Sequence, residues 1–215
     1  DCKFFASIRD TLEQKDGISR RPDVLFTSCG GKHRMRVGVE ALRAASVPVS
    51  VVGDFDVLND WSVLERLISA AGGVPDQFRS DWRILDAALQ SDSRTPSVVG
   101  LKEAVKAAMD GLTNVSTKSL RPVRDALKIE TGWDRVKNTG VSGVPKGGPH
   151  KAAQRLLERL ATLGIFLIPV GEMEDFVPDI AHHGSMWVSG VLESRLHESA
   201  EAAQEFLSSL LASLP

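Results

Sequence analysis

Apolar positions recur along the chain with two different periods, and the period changes mark its elements. In "CKFFASIRDTLEQ", residues 2–14, Phe4, Phe5, Ile8 and Leu12 fall at helical spacing, and Gly17 ends the run. "DVLFTSC", residues 23–29, is a short apolar stretch between Pro22 and Gly30-Gly31, a pattern that predicts a buried strand. "KHRMRVGVEALRAAS", residues 32–46, returns to the helical period with Met35, Val39 and Leu42 on one face. From Val47 to Val52 five of the six residues are apolar or proline, which predicts a second strand over 47–53. A helix from Trp61 to Ala71 follows. The order α-β-α-β-α, with short glycine-bearing connections, implies parallel strands joined by right-handed crossovers.

From about Gly73 to Thr131 the helical period prevails, in "PDQFRSDWRILDAALQ", "GLKEAVKAAMDGL" and "STKSLRPVRDALKIE". No strand pattern interrupts it, so a helical insertion is expected. Residues 132–150, "GWDRVKNTGVSGVPKGGPH", hold five glycines and two prolines and predict a long loop. A helix over 151–164 then leads into a third apolar strand, "IFLIPV", residues 165–170, and the tail from Glu193 to Leu214 is mostly amphipathic helix. The fold class read from this is α/β, a parallel sheet flanked by helices with a helical insertion subdomain. Residues 1–72 form its first part, 73–150 the insertion and glycine-rich loop, and 151–215 the return of the sheet with a C-terminal helix.

Both later strands run into acids. "VVGDFDVLN" delivers Asp54 and Asp56 directly after Gly53, and "IFLIPVGEMED" delivers Glu172, Glu174 and Asp175 after Gly171. In open parallel sheets ligands bind beyond the carboxyl ends of the strands. Period-two alternation points Asp54 and Asp56 to one side, with Phe55 away. Two carboxylates so placed repel, and each is pushed toward its neutral form unless a cation lies between them. Mg²⁺ meets that need with hard oxygen ligands. The simpler alternative is that these acids cap the elements that follow. Asp60 suits a cap for "WSVLERL", and "GEMED" suits the first turn of a helix.

Composition narrows the picture little. The 215 residues are 42% hydrophobic with a formal net charge of −2, so contact with a nucleic acid must come from local basic patches. Cys2 and Cys29 have neither metal-ligand nor disulfide-framework spacing, which suits free thiols in a reducing cytoplasm. No apolar run approaches the ~18–20 residues of a membrane span. The chain begins at Asp1 without a methionine, which suits a fragment of a longer protein.

Four stretches taken in order resemble the Toprim domain of the OLD (overcoming lysogenization defect) family nucleases. They are "SCGGK" (28–32), "VVGDFDVLN" as the Toprim D-x-D strand, "GWDRVKNTGV" as a W-x-x-x-K-x-x-G stretch, and "LGIFLIPVGEMEDFV" as the family's L-G-h-F-h-h-P-x-G-E-h-E element, with h apolar. The resemblance spans residues 1 to about 194. It implies a Mg²⁺- or Mn²⁺-dependent endonuclease acting on DNA through two ions roughly 3.5–4 Å apart. It further implies a place behind an ABC-type ATPase domain, a possible homodimer and a cytoplasmic location. Asp54, Asp56, Glu174 and Lys137 would be catalytic, and Asp1, Asp54, Asp56, Glu172 and Glu174 would ligate metal. Asp1 would be the aspartate of an opening Glu-Gly-x-x-Asp motif whose strand and glutamate precede residue 1.

Cations for the phosphates complete the expectation. Lys137 sits in the glycine-rich loop, Lys32 opens a helix whose N-terminus suits a phosphate, and Arg34 and Lys146 lie in the local basic runs "KHRMR" and "KGGPHK". Arg20-Arg21 form another such run. His182 and His183 are adjacent and suit a loop or packing role better than ligation. Ser28 offers a hydroxyl near the site, Cys29 a small buried filler, and Trp61, Trp82 and Trp187 suit core anchors, with Trp133 beside Lys137. The alternative from another class is a catalytically idle nucleic-acid-binding or dimerisation module. A topoisomerase-like member of the superfamily would need its tyrosine from elsewhere, because the chain has none. The nucleotide-binding loop G-x-x-x-x-G-K-[ST] does not occur in these residues.

Overall fold

Every other residue of one short strand faces a different core, and the molecule is built around that division. The computed structural model describes residues 2–16, 23–92, 97–117, 119–127 and 130–214. Strand β1 (Val51–Gly53) pairs in parallel with β2 (Ile165–Leu167), in the register Val51 with Ile165, Val52 with Phe166 and Gly53 with Leu167. Backbone bonds continue the pairing at both ends: Val51 N–H donates to the Gly164 carbonyl at 2.8 Å, Ile168 N–H to Gly53 at 2.9 Å, and Phe55 N–H to Gly171 at 2.9 Å.

Ile165 and Leu167 join the core on one face. It is formed with helices α2 (Lys32–Ala44), α3 (Trp61–Ala70), α4 (Asp76–Ser91), α7 (Gly132–Thr139) and α8 (Gly148–Ala161). Phe166 and Ile168 join the core on the other face, formed with α1 (Cys2–Asp16), α9 (Ser185–Glu193) and α10 (Glu201–Ala212). Alternate residues of "IFLI" thus serve two packed layers, helices covering both faces of a parallel pair. The helical spacing of α1 also holds, since Phe4, Phe5, Ile8 and Leu12 are all buried. Trp187 anchors the second core, its ring 4.9 Å from that of Phe4 and its indole N–H on the Val177 carbonyl at 3.1 Å.

Two expectations fail here. Residues 23–29 form no strand and no ladder with the described residues, and Leu25 is 89% exposed. Val24 and Phe26 pack against the second core and Cys29 against the first. Residues 132–150 are not a loop: α7, a 3-10 turn over Gly140–Gly143 and the start of α8 occupy them. Thr131 and Asp134 form a capping box that starts α7, and Gly132 is there for close approach. A β-carbon at that position would lie 2.5 Å from the Leu89 carbonyl oxygen.

Within 73–150 the helices differ in kind. Helices α4 and α7 supply Phe78, Leu85, Leu89, Trp133 and Val136 to the first core. By contrast α5 (Val98–Asp110) and α6 (Arg121–Ala126) bury no residue and pack chiefly on each other. Among the described residues no helix is long and apolar enough to cross a membrane.

Candidate functional site

Because β1 and β2 run parallel and in register, their exits lie side by side, and the two acidic clusters meet there. Gly53 ends β1 where a β-carbon would stand 2.8 Å from the Met35 side chain, so α2 closes directly onto the strand. Asp54 is the last extended residue (φ −66°, ψ 158°), and the chain then turns into a 3-10 segment, Phe55–Asn59. Strand alternation therefore stops at Asp54, and Asp56 stands in the first turn of that segment. Burial keeps the two acids half-exposed all the same, since Phe55, Val57 and Leu58 between and beyond them are buried. The indole of Trp82 donates to the Leu58 carbonyl at 2.7 Å and fixes the turn against α4.

The β2 exit is set by α7. The Pro169 carbonyl accepts from Val141 N–H at 2.9 Å, and Gly140, at φ +54°, lies so close that a β-carbon would run into that carbonyl. Gly171 (φ +122°) lies against the Lys137 carbonyl, which a β-carbon there would approach to 2.5 Å. These two glycine contacts bring the last turn of α7 onto the acids. Lys137 Nζ consequently reaches Glu172 Oε1 at 3.1 Å. From the opposite side, Lys32 at the start of α2 reaches Asp56 Oδ2 at 2.8 Å and also contacts the Asp56 carbonyl at 3.3 Å. Each exit has one lysine on one of its carboxylates.

The remaining acids are held by backbone. Asp175 Oδ2 accepts from Glu172 N–H at 2.9 Å, and the two residues form a capping box over the 3-10 turn Met173–Phe176. The capping alternative is thus realised for Asp175 and in part for Glu172. Glu174 Oε1 accepts from Gly184 N–H at 2.9 Å, with His183 Nδ1 3.9 Å away. Asp60 caps α3 as expected, accepting from Ser62 N–H at 2.9 Å and Val63 N–H at 3.3 Å. These bonds, the Ser62 side chain first, hold its carboxyl below the usual range.

Asp54 stands apart. No hydrogen bond from the described residues reaches its carboxylate. Burial, and then the charges of Asp56, Glu172 and Glu174, push it from the ordinary 3.8 up to about 6, against which Lys137 pulls only in part. Asp175 is also raised, by burial first and by Glu172 and Glu174, while Lys137 is raised by its bond to Glu172.

The structure therefore brings together Asp54, Asp56, Glu172, Glu174, Lys137 and Lys32. Arg34 is exposed, its stem lying along Gly30, and Lys146 is exposed in the turn before α8; neither makes an ion pair with a described residue. Asp1, Arg20 and Arg21 lie outside the described residues. His33 and His182 are exposed, and so is Ser28, whose hydroxyl oxygen takes the Gly30 N–H at 3.4 Å. Cys29 packs against the first core. Trp133 is buried with its indole N–H on Asp86 at 3.0 Å, and Trp61 and Trp82 pack on one another, so these rings are core and not base-stacking surface.

Hard carboxylate oxygens, with the Asp54 carboxylate unpartnered among the described residues and raised to about 6 by burial and then by its neighbours, are donors suited to Mg²⁺ or Mn²⁺. Among the described residues, however, no three of His, Cys, Asp or Glu are already gathered around one ligating point. The donors are of the type that holds a divalent cation, but as placed they do not converge on one. Set against protein-family models, curated proteins and solved structures, the chain matches none of them.

Proposed function

We propose that the chain is the Toprim-type, metal-dependent DNA nuclease module of an OLD-family ATPase–nuclease. The observation that carries this reading is the meeting of two acidic strand exits, each with a lysine on one of its carboxylates. Asp54, Asp56, Glu172 and Glu174 would hold divalent ions, with Asp1 added by the resemblance. An ion there supplies Lewis-acid stabilisation for charge developing on the phosphoryl oxygens. Lys32 and Lys137 bind the phosphates that flank the scissile bond, approaching from α2 and α7 on either side. Asp54, raised by burial and by the surrounding carboxylates, is the group that a cation most relieves. The module acts on DNA in the cytoplasm, under the control of the ATPase domain and as a possible homodimer.

The competing reading, an idle nucleic-acid-binding or dimerisation module, draws on the capping box of Glu172 and Asp175, which gives two of the acids a use within their own turn. Nicking of supercoiled plasmid with Mg²⁺ or Mn²⁺ separates the two, using the natural full-length polypeptide and its Asp54→Ala variant. Metal-dependent nicking that the variant lacks supports the nuclease. Absence of both nicking and calorimetric metal binding in the parent leaves the idle module.

A further inference from the structure

Both lysines that face the substrate side of the site are already engaged. Lys32 Nζ sits 2.8 Å from Asp56 and Lys137 Nζ 3.1 Å from Glu172, each pair half-open to solvent. Without a divalent ion one carboxylate at each exit is thus already paired from within, by one ammonium each. An ammonium and a cation cannot fully use the same carboxylate oxygens, and an ammonium and a phosphate compete in the same way for the lysine. Each pair is a partnership that two ligands of opposite charge can break from opposite ends.

We propose that the Lys32–Asp56 and Lys137–Glu172 pairs couple divalent-cation binding to DNA binding by exchange of partners. This rests on the nuclease reading above and names how the same site is regulated. A cation that takes Glu172 releases Lys137 to a phosphate, and a phosphate that takes Lys137 releases Glu172 to a cation; Lys32 and Asp56 do the same at the other exit. Linkage makes the effect reciprocal: DNA tightens cation binding by the factor by which the cation tightens DNA binding. The fold favours such an exchange because each pair joins different elements. Lys32 opens α2 and Lys137 closes α7, while the acids sit on the turns after β1 and β2. The lysine stems can swing without disturbing either strand, and surface-accessible pairs of this kind are cheap to break.

The test measures Ca²⁺ binding by calorimetry with and without a short DNA duplex, and duplex binding by fluorescence anisotropy with and without Ca²⁺, with the DNA checked intact at the end. In the parent protein each ligand is expected to tighten the other about 10-fold. Lys137→Met is expected to bind Ca²⁺ more tightly on its own yet to lose the share of the coupling that the Lys137–Glu172 pair carries, and Lys137→Arg to keep it. Tighter Ca²⁺ binding alone reports only a removed charge, so the coupling factor is the deciding quantity. Independent binding of Ca²⁺ and DNA in the parent, or undiminished coupling in Lys137→Met, overturns the exchange. Failure of Ca²⁺ and of Mn²⁺ to bind at all overturns the nuclease reading beneath it, and circular dichroism of each variant confirms that it is folded.

Discussion

The two strand exits occupy equivalent places in the sheet and carry similar charge, yet they are dressed differently. After β2 each acid has a donor: Glu172 has Lys137, Glu174 has the Gly184 N–H, and Asp175 has the Glu172 N–H. After β1 only Asp56 has one, and Asp54 is left among three other carboxylates with its pKa near 6. Local turn geometry explains the contrast. The β2 exit makes a capped 3-10 turn whose backbone N–H groups face the acids, whereas the N–H groups after Asp54 serve the β2 backbone and the turn itself. An exit satisfied by its own backbone is stable without a ligand. One that is not holds free energy that a cation can release.

Exchange of Asp54 is expected to break this asymmetry with the largest effect. On the proposed nuclease reading, Asp54→Asn should lower metal-dependent nicking about 10²–10³-fold, and Asp175→Asn, which touches a carboxylate used as a cap, should cost far less. Equal losses in a plasmid assay would show that the dressing of the two exits is irrelevant to catalysis. Next in size is Gly140→Ala, which sets a β-carbon against the Pro169 carbonyl at φ +54°. It should cost about 3 kcal/mol in urea unfolding by forcing α7 off the β2 exit.

A smaller effect of opposite sign is expected for Asp54→Asn on stability without metal. The folded pKa lies above the unfolded one, so the native state of the parent loses stability as pH rises from about 4 through about 6 and remains penalised above that. Allowing for partial exposure, the variant should gain about 1–2 kcal/mol at pH 7.5, and the gain should vanish near pH 4. Saturating Mg²⁺ should reverse the order of the two proteins. The smallest change is Asp60→Ala, which removes the α3 cap for about 1 kcal/mol. Its lowered pKa gives the opposite pH trend, stability present above about 4 and lost as pH falls below, and nicking should be unaffected.

Much of this site could be read from the chain, and the parts that could not share a cause. Helix α1, the Asp60 cap and the acids at both strand ends are local patterns, visible in a few neighbouring residues. The segment 23–29 has the composition of a strand but no ladder partner, and pairing belongs to two segments, not to one. Gly132 and Gly140 read as loop residues although they serve close contacts with Leu89 and Pro169, which are far away in sequence. The pairs Lys32–Asp56 and Lys137–Glu172 likewise join residues that no local pattern connects.

The α5–α6 hairpin carries a consequence for how such a chain can diversify. The polypeptide leaves the body at Asp92 and re-enters at Thr131. Those points are tied to each other by the Arg135–Asp92 pair, by Trp133 on Asp86, and by Gly132 against Leu89. Everything between them adds no buried side chain among the described residues of α5 and α6. Its length and sequence are therefore free to drift, or to be exchanged wholesale between lineages, while the clasp at its base keeps Lys137 in register with the acids. The hairpin is the place where a different arm could be carried with the acidic cluster left unchanged.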